Sequence, residues 1–242
     1  MTEQTPPSKA DRPECDINKT QTLIDLFQIP PEQRDEAWSN SFYENVQTAS
    51  YACGTPQVFR GPDGFPYFIL KTPEPNQPFE SFCISNMKDD FLLEKGFGVV
   101  LNPTDLGADW VFSYGDILNL HLNREFYSHT DDPVVENVET VKKETEILIA
   151  QPSETYLPKQ SRVIIEKFLQ SIGLQQPKLV MICRTVNEKM VQELAFNIFV
   201  EDFADSEQLN NYLHRISWFL PRHYIILAVP KNSDLVNHFA DL

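Results

Sequence analysis

The sequence predicts an α+β protein of two domains, the second a β-α-β-β-α-β unit with ferredoxin-like topology. Three observations lead there. The hydrophobic period switches repeatedly between the helical and the extended spacing. The second half alternates strand-like and helix-like segments in that order. The charge is also unevenly divided: residues 1–140 carry 23 acids against 9 bases, residues 141–242 carry 12 against 11, and the whole chain has a formal net charge of −15. Two stretches with such different surfaces read as two domains. A length of 242 residues is enough for each to bury a core.

Residues 1–18 are polar, contain Pro6, Pro7 and Pro13, and lack periodicity, so they read as a disordered tail. The first, acidic domain is expected over 19–138. A helix is predicted over 22–28, stopped before Pro30-Pro31. A second runs from Glu32 to about Thr48, with Trp38, Phe42 and Val46 on one buried stripe. Strands at 56–60 and 65–71 flank Gly61-Pro62-Asp63-Gly64, where Pro presets φ and Gly allows a positive φ. A strand is expected at 79–84. A helix capped by Ser85 follows, running to Glu94 and stopped by Lys95-Gly96. Strands at 97–101 and 110–113 and a helix at 115–122 complete the domain, and the linker is placed at 130–143.

The second domain is expected over 139–242. It opens on a buried strand at 146–150. Next comes a helix over 158–172 with Val163, Ile164, Ile165, Phe168, Leu169 and Ile172 on its apolar side and Gly173 past its end. A strand at 179–184 and a turn at Asn187 lead to a strand in which Leu194, Phe196, Ile198 and Val200 alternate. Asp205, with Gln208 three residues on, has the form of a capping box. Its helix carries the stripe Leu209, Tyr212, Leu213, Ile216 and Leu220 and ends at Pro221. A last strand covers 224–229 and a short helix 234–239. Two right-handed crossovers sharing one sheet would give the ferredoxin-like arrangement.

The composition excludes collagen-like, disulfide-scaffold and wholly disordered chains. The acidic balance argues against nucleic-acid binding, which needs a basic face. The start of the chain has no apolar run of the secretory kind, and no apolar stretch is long enough for a membrane span. A cytoplasmic location is therefore expected. Cys15, Cys53, Cys83 and Cys183 are scattered and read as reduced, mostly buried thiols.

No reactive constellation emerges from the sequence. The G-x-S-x-G elbow is missing, and Gly96-Phe97-Gly98 precedes a strand instead of following one, which makes it a helix stop. His129, Asp131 and Asp132 lie close together, but without zinc-site spacing, so no metal or cofactor is expected. Adjacent acids such as Asp89-Asp90 and Glu201-Asp202 point in different directions and serve helix and strand ends. The aromatic run Trp218-Phe219-Leu220-Pro221-Arg222-His223-Tyr224 reads first as core closure. Its second reading is a recognition surface in which Trp218, Arg222 and His223 join Asp131 and Asp132.

Phe97-Gly98-Val99-Val100-Leu101-Asn102-Pro103 resembles the apolar strand and Asn-Pro of SseB-like proteins. Residues 147–158, a strand ending in Gln151-Pro152, an acidic turn and Pro158 before a helix, are similar to the segment that opens their C-terminal domain. The helix around Trp38 fits the opening of the same family. The resemblance covers about residues 20–230 and departs from the family pattern in the tail and at 218–223, as a divergent branch would. It implies a cytosolic bacterial protein of two SseB-type domains with no established catalytic centre. Together with the charge, it leads to the expectation of a non-enzymatic interaction protein, regulatory or accessory, with a protein partner. A narrower form is an immunity protein facing a basic toxin. The alternative is a small enzyme with a site at the domain junction near His129, Asp131 and Asp132.

Overall fold

The computed structural model describes residues 12–128, 147–186 and 189–242. The expected linker, His129, Asp131, Asp132 and the turn at Asn187 lie outside the described residues. The chain is α+β, with two mixed sheets, and it divides into two compact units, residues 1–121 and 122–242.

In the first unit, α1 (Ile17–Phe27) starts inside the stretch expected to be a tail, capped by the Asp16 carboxylate on Asn18 N–H. Asp16 also bonds across to residues 48–50: its N–H donates to Thr48 O (2.7 Å) and its carbonyl accepts from Ser50 N (3.2 Å). Such long-range pairing leaves no mark in local periodicity. A 3₁₀ turn (Pro31–Gln33) separates α1 from α2 (Glu36–Val46), whose cap is Asp35 on Trp38 N–H. The expected start at Glu32 therefore belongs to the turn. Trp38, Phe42 and Val46 are buried, as their spacing requires. Phe42 stands at the centre of an aromatic cluster, 4.6 Å from Trp110 and 5.1 Å from Trp38 by ring centroids.

The hairpin forms β1 (Ala52–Arg60) and β2 (Pro66–Lys71), with Gly64 at φ +85° in the turn. Instead of a strand at 79–84 there is one isolated bridge, Tyr51 to Phe82, before the chain coils into α3 (Ile84–Met87). Cys83, not Ser85, holds the cap position. The helix continues as a π-helical turn (Lys88–Leu92) and α4 (Leu93–Lys95), closed by Gly96 at φ +75°. After β3 (Gly98–Leu101) and β4 (Trp110–Phe112) comes α5 (Tyr114–Asn123). The sheet order is β1-β2-β3-β4, with β2 and β3 parallel and the other pairs antiparallel. Asn102 explains the Asn-Pro pair that ends β3. It adopts φ +49°, a conformation Asn tolerates. Its side-chain oxygen accepts from Thr72 N (2.8 Å) and its amide donates to Asp109 (2.7 Å), tying the ends of β2 and β4 together.

The second unit runs β5 (Ile147–Ala150), α6 (Lys159–Ser171), β6 (Lys178–Val186), β7 (Lys189–Phe199), α7 (Ser206–Ser217), β8 (Ile225–Val229) and β9 (Ala240–Asp241). The element order β-α-β-β-α-β is as expected, but the ferredoxin-like interleaving is not what forms. Strands lie in chain order, β5-β6-β7-β8, and β5 is the antiparallel neighbour of β6. Among the described residues of this unit only β7 and β8 are parallel across a helix, where the ferredoxin-like arrangement needs two such crossovers. Element order constrains the connections and leaves the pairing of neighbours open. β5 thus lies at an edge, and the burial expected for it fails: Leu148 is 64% exposed.

The capping box at α7 is present, with Asp205 accepting from Gln208 N (2.8 Å) and Gln208 Oε1 accepting from Ala204 N (3.4 Å). Along β7 the alternation Leu194, Phe196, Ile198 describes one face only. The other face also carries a core: Val180, Ile182, Ala195 and Val229, covered by Leu235 and Phe239 from the C-terminal segment. That segment pairs through β9 with β6. The same face holds a buried ion pair, Arg184 Nε and Nη2 donating to both Glu193 oxygens at 2.8 and 2.7 Å.

Candidate functional site

Strand register divides the side chains of the first sheet. Phe68, Leu70, Val99, Leu101 and Phe112 share the face toward Phe42, while Phe59, Tyr67, Val100 and Val111 share the opposite face. A groove of about 480 Å³ opens on that opposite face. Those four residues form its floor, and the β1–β2 turn (Pro62, Asp63) and the 103–108 loop form its rims.

Local chemistry shapes both rims. Asp63 accepts from Phe65 N (3.0 Å) with one oxygen and from the Tyr67 hydroxyl with the other, which pins the phenol against the turn. Tyr67 lies flat enough on the backbone that a Cβ on Gly98 would stand 2.8 Å from its ring and 2.5 Å from Phe112 O. Glycine at 98 is what lets the aromatic side chain reach the floor. On the other rim, Thr104 and Gly107 exchange backbone hydrogen bonds, and the Thr104 hydroxyl accepts from Leu106 N (3.2 Å). This ordered turn holds Leu106 100% exposed, and Val111 below it is 43% exposed. Asp105 adds a carboxylate beside them. The arrangement exposes Leu106 and Val111 beside the carboxylates of Asp63 and Asp105, over a floor in which Tyr67 and Val100 are buried. It suits a side chain of aliphatic or aromatic type flanked by cations.

A second polar group lies on the π-helical turn. His121 Nδ1 on α5 is 2.7 Å from an Asp89 oxygen, and Lys88 holds the other oxygen. Burial pushes the Asp89 carboxyl up, but the hydrogen bonds from His121 and Lys88 outweigh it and hold it below its ordinary value. Among the described residues no group of three or more His, Cys, Asp or Glu side chains could hold a metal ion. No described helix is long and apolar enough to cross a membrane.

The sequence-derived surface residues that are described fall in the second unit, each engaged within the chain. Trp218 packs edge-on against Phe219 (4.8 Å), whose ring meets Phe168 of α6 (4.6 Å). Arg222 is exposed, donates to the Tyr127 hydroxyl (3.0 Å) and lies over that ring. His223 stands edge-on to Tyr224, which stacks on Tyr156 (4.1 Å) and donates to its carbonyl (2.6 Å). Burial raises both tyrosine hydroxyls well above their ordinary range. The structure therefore brings Trp218, Arg222 and His223 to one segment with separate partners. Sequence reasoning missed Phe59, Tyr67, Leu106 and Val111. The signal available was Leu106 itself, the one large aliphatic residue in the Pro-Thr-Asp-Leu-Gly-Ala loop at 103–108.

Compared with known protein families, curated proteins and solved structures, the chain finds no match.

Proposed function

We propose that this chain is a non-enzymatic interaction protein of the SseB-like kind, acting in the bacterial cytosol, whose first unit binds a basic partner protein through the groove on its sheet. One observation carries the reading: an ordered turn displays a fully exposed leucine at the rim of an apolar groove. Leu106 packs against nothing in its own core, and with the exposed Val111 it offers an apolar contact at the groove's edge that a partner's side chain can cover. Charge supports the choice of partner. Residues 1–121 contain 18 acids against 8 bases, so the unit attracts cations over a distance of about a Debye length. An immunity protein opposing a basic toxin is the narrower form of this reading.

Selection from a displayed peptide library on the purified full chain tests it. Enriched peptides are expected to combine Lys or Arg with an aliphatic or aromatic anchor and to bind more weakly as salt rises. Leu106→Glu should abolish that binding while leaving the thermal midpoint unchanged. Enrichment of acidic peptides, or binding indifferent to Leu106→Glu, overturns the proposal.

A further inference from the structure

β8 (Ile225–Val229) is built like an interior strand yet lies at the edge of its sheet. Its residues, Ile-Ile-Leu-Ala-Val, are all apolar, the composition of a strand with a neighbour on either side. Leu227 and Val229 pack into the core that Leu235 and Phe239 cover. Ile226 stands beside Leu194 and, with Ala228, belongs to the opposite face. Every side chain of β8 is at least partly buried, so its own chain furnishes both faces. The outer edge is different. Among the described residues β7 is the only strand paired with β8, and no turn or loop hydrogen bond reaches 225–229. The backbone N–H and C=O groups that point away from β7 are left to pair with another chain. Other edges are blunted: β1 is interrupted by Pro56 and an irregular register between Cys53 and Val58, and β4 and β5 are three and four residues long. β8 contains no charge and no proline.

We propose that β8 pairs antiparallel with β8 of a second copy of this chain, joining two sheets about a two-fold axis. The strand is self-complementary in the register centred on Leu227. There Leu227 opposes Leu227, Ile225 opposes Val229 and Ile226 opposes Ala228, so every cross-strand pair is apolar and lies on one face. A slip of one residue would turn the two core faces to opposite sides and set Pro230, which has no N–H, against Ile225. Charge fits as well. Residues 141–242 hold 12 acids against 11 bases, so two copies of this region meet with little net repulsion, unlike two copies of the acidic first unit. The ends of β8 also differ in sign. Arg222 and His223 precede it. Beyond its far end Glu201 accepts from Lys231 N (3.0 Å) and Asp202 lies 2.5 Å from the Lys231 ammonium, two carboxylates around one cation. Antiparallel pairing carries this negative end toward Arg222 of the other copy. The edge is independent of the groove in the first unit.

Sedimentation equilibrium of the purified full chain across roughly 1–300 µM tests the proposal, a range suited to weak interfaces of small area. A reversible dimer is expected. In hydrogen exchange, amides within 225–229 should exchange quickly in dilute solution and become protected as the dimer forms. Ala228→Lys sets a charge against Ile226 of each opposing copy and should weaken dimerisation by about tenfold or more. Should that variant fail to fold, the concentration dependence of exchange in the native chain decides alone. A chain that stays monomeric throughout overturns the proposal. So does a dimer in which exchange at 225–229 is unchanged, since its contact lies elsewhere, and so does full protection at 225–229 already in dilute solution, since the chain then covers this edge itself.

Discussion

The two sheets share a design and differ in how their second face is treated. Each contains one parallel pair bridged by helix, β2 to β3 through the α3–α4 coil and β7 to β8 through α7. In the second unit, the face opposite Leu194 and Phe196 is closed by Leu235 and Phe239 and contains a bidentate Arg184–Glu193 pair. In the first unit, the face opposite Phe42 buries Tyr67, Ile69 and Val100 and carries a groove with an exposed leucine on its rim. The second sheet's further face is closed by the C-terminal segment, whereas the first sheet's further face has exposed Leu106 and Val111 at the edge of its groove.

The largest effect that would break this contrast lies in the second unit. Glu193 is fully buried, so Arg184→Met leaves its charge without the two guanidinium hydrogen bonds. A loss of about 3–5 kcal/mol is expected in urea unfolding. The double variant with Glu193→Met should recover most of it, because the desolvated charge goes as well. A cost below about 1 kcal/mol for Arg184→Met would mean that this face is open to water.

What could be read from the sequence follows the range of each signal. The Trp38–Phe42–Val46 stripe, the Asp205–Gln208 box, the Gly96 stop and the Pro62-Asp63-Gly64 turn are set within a few residues, and each is present. The α+β class follows from them. Strand order does not, because β5 pairs with β6 through contacts that no local pattern encodes. The groove floor draws one residue from each of four strands, Phe59, Tyr67, Val100 and Val111, and is visible only once register is known. The pairing of Asp16 with residues 48–50, which turns an expected tail into a helix start, was hidden for the same reason.

A smaller effect sharpens the contrast from the first unit. Gly98→Ala sets a methyl group against Phe112 O and the Tyr67 ring, neither of which is the far end of a flexible chain. Strain of this kind costs about 1–3 kcal/mol. It should also move Tyr67 off the groove floor, so peptide affinity falls along with stability. A variant that loses stability but keeps full affinity would detach the groove from Tyr67.

The smallest effect comes from Asp89, and its pH dependence separates a surface contact from the buried pair of the second unit. Its carboxyl is held below the ordinary value near 3.8 by His121 and Lys88 against the opposing effect of burial. The folded protein therefore binds a proton there less readily than the unfolded chain. The stability this provides is fully present above the unfolded value and is lost as pH falls through the lower, folded one. Asp89→Asn should cost about 0.5–1 kcal/mol at neutral pH, since both partners remain partly solvated. The gap between variant and native chain should close as pH falls below about 4 in urea titrations. A gap that persists unchanged into strong acid would mean that the asparagine perturbs the π-helical turn itself and that the charge contributes nothing.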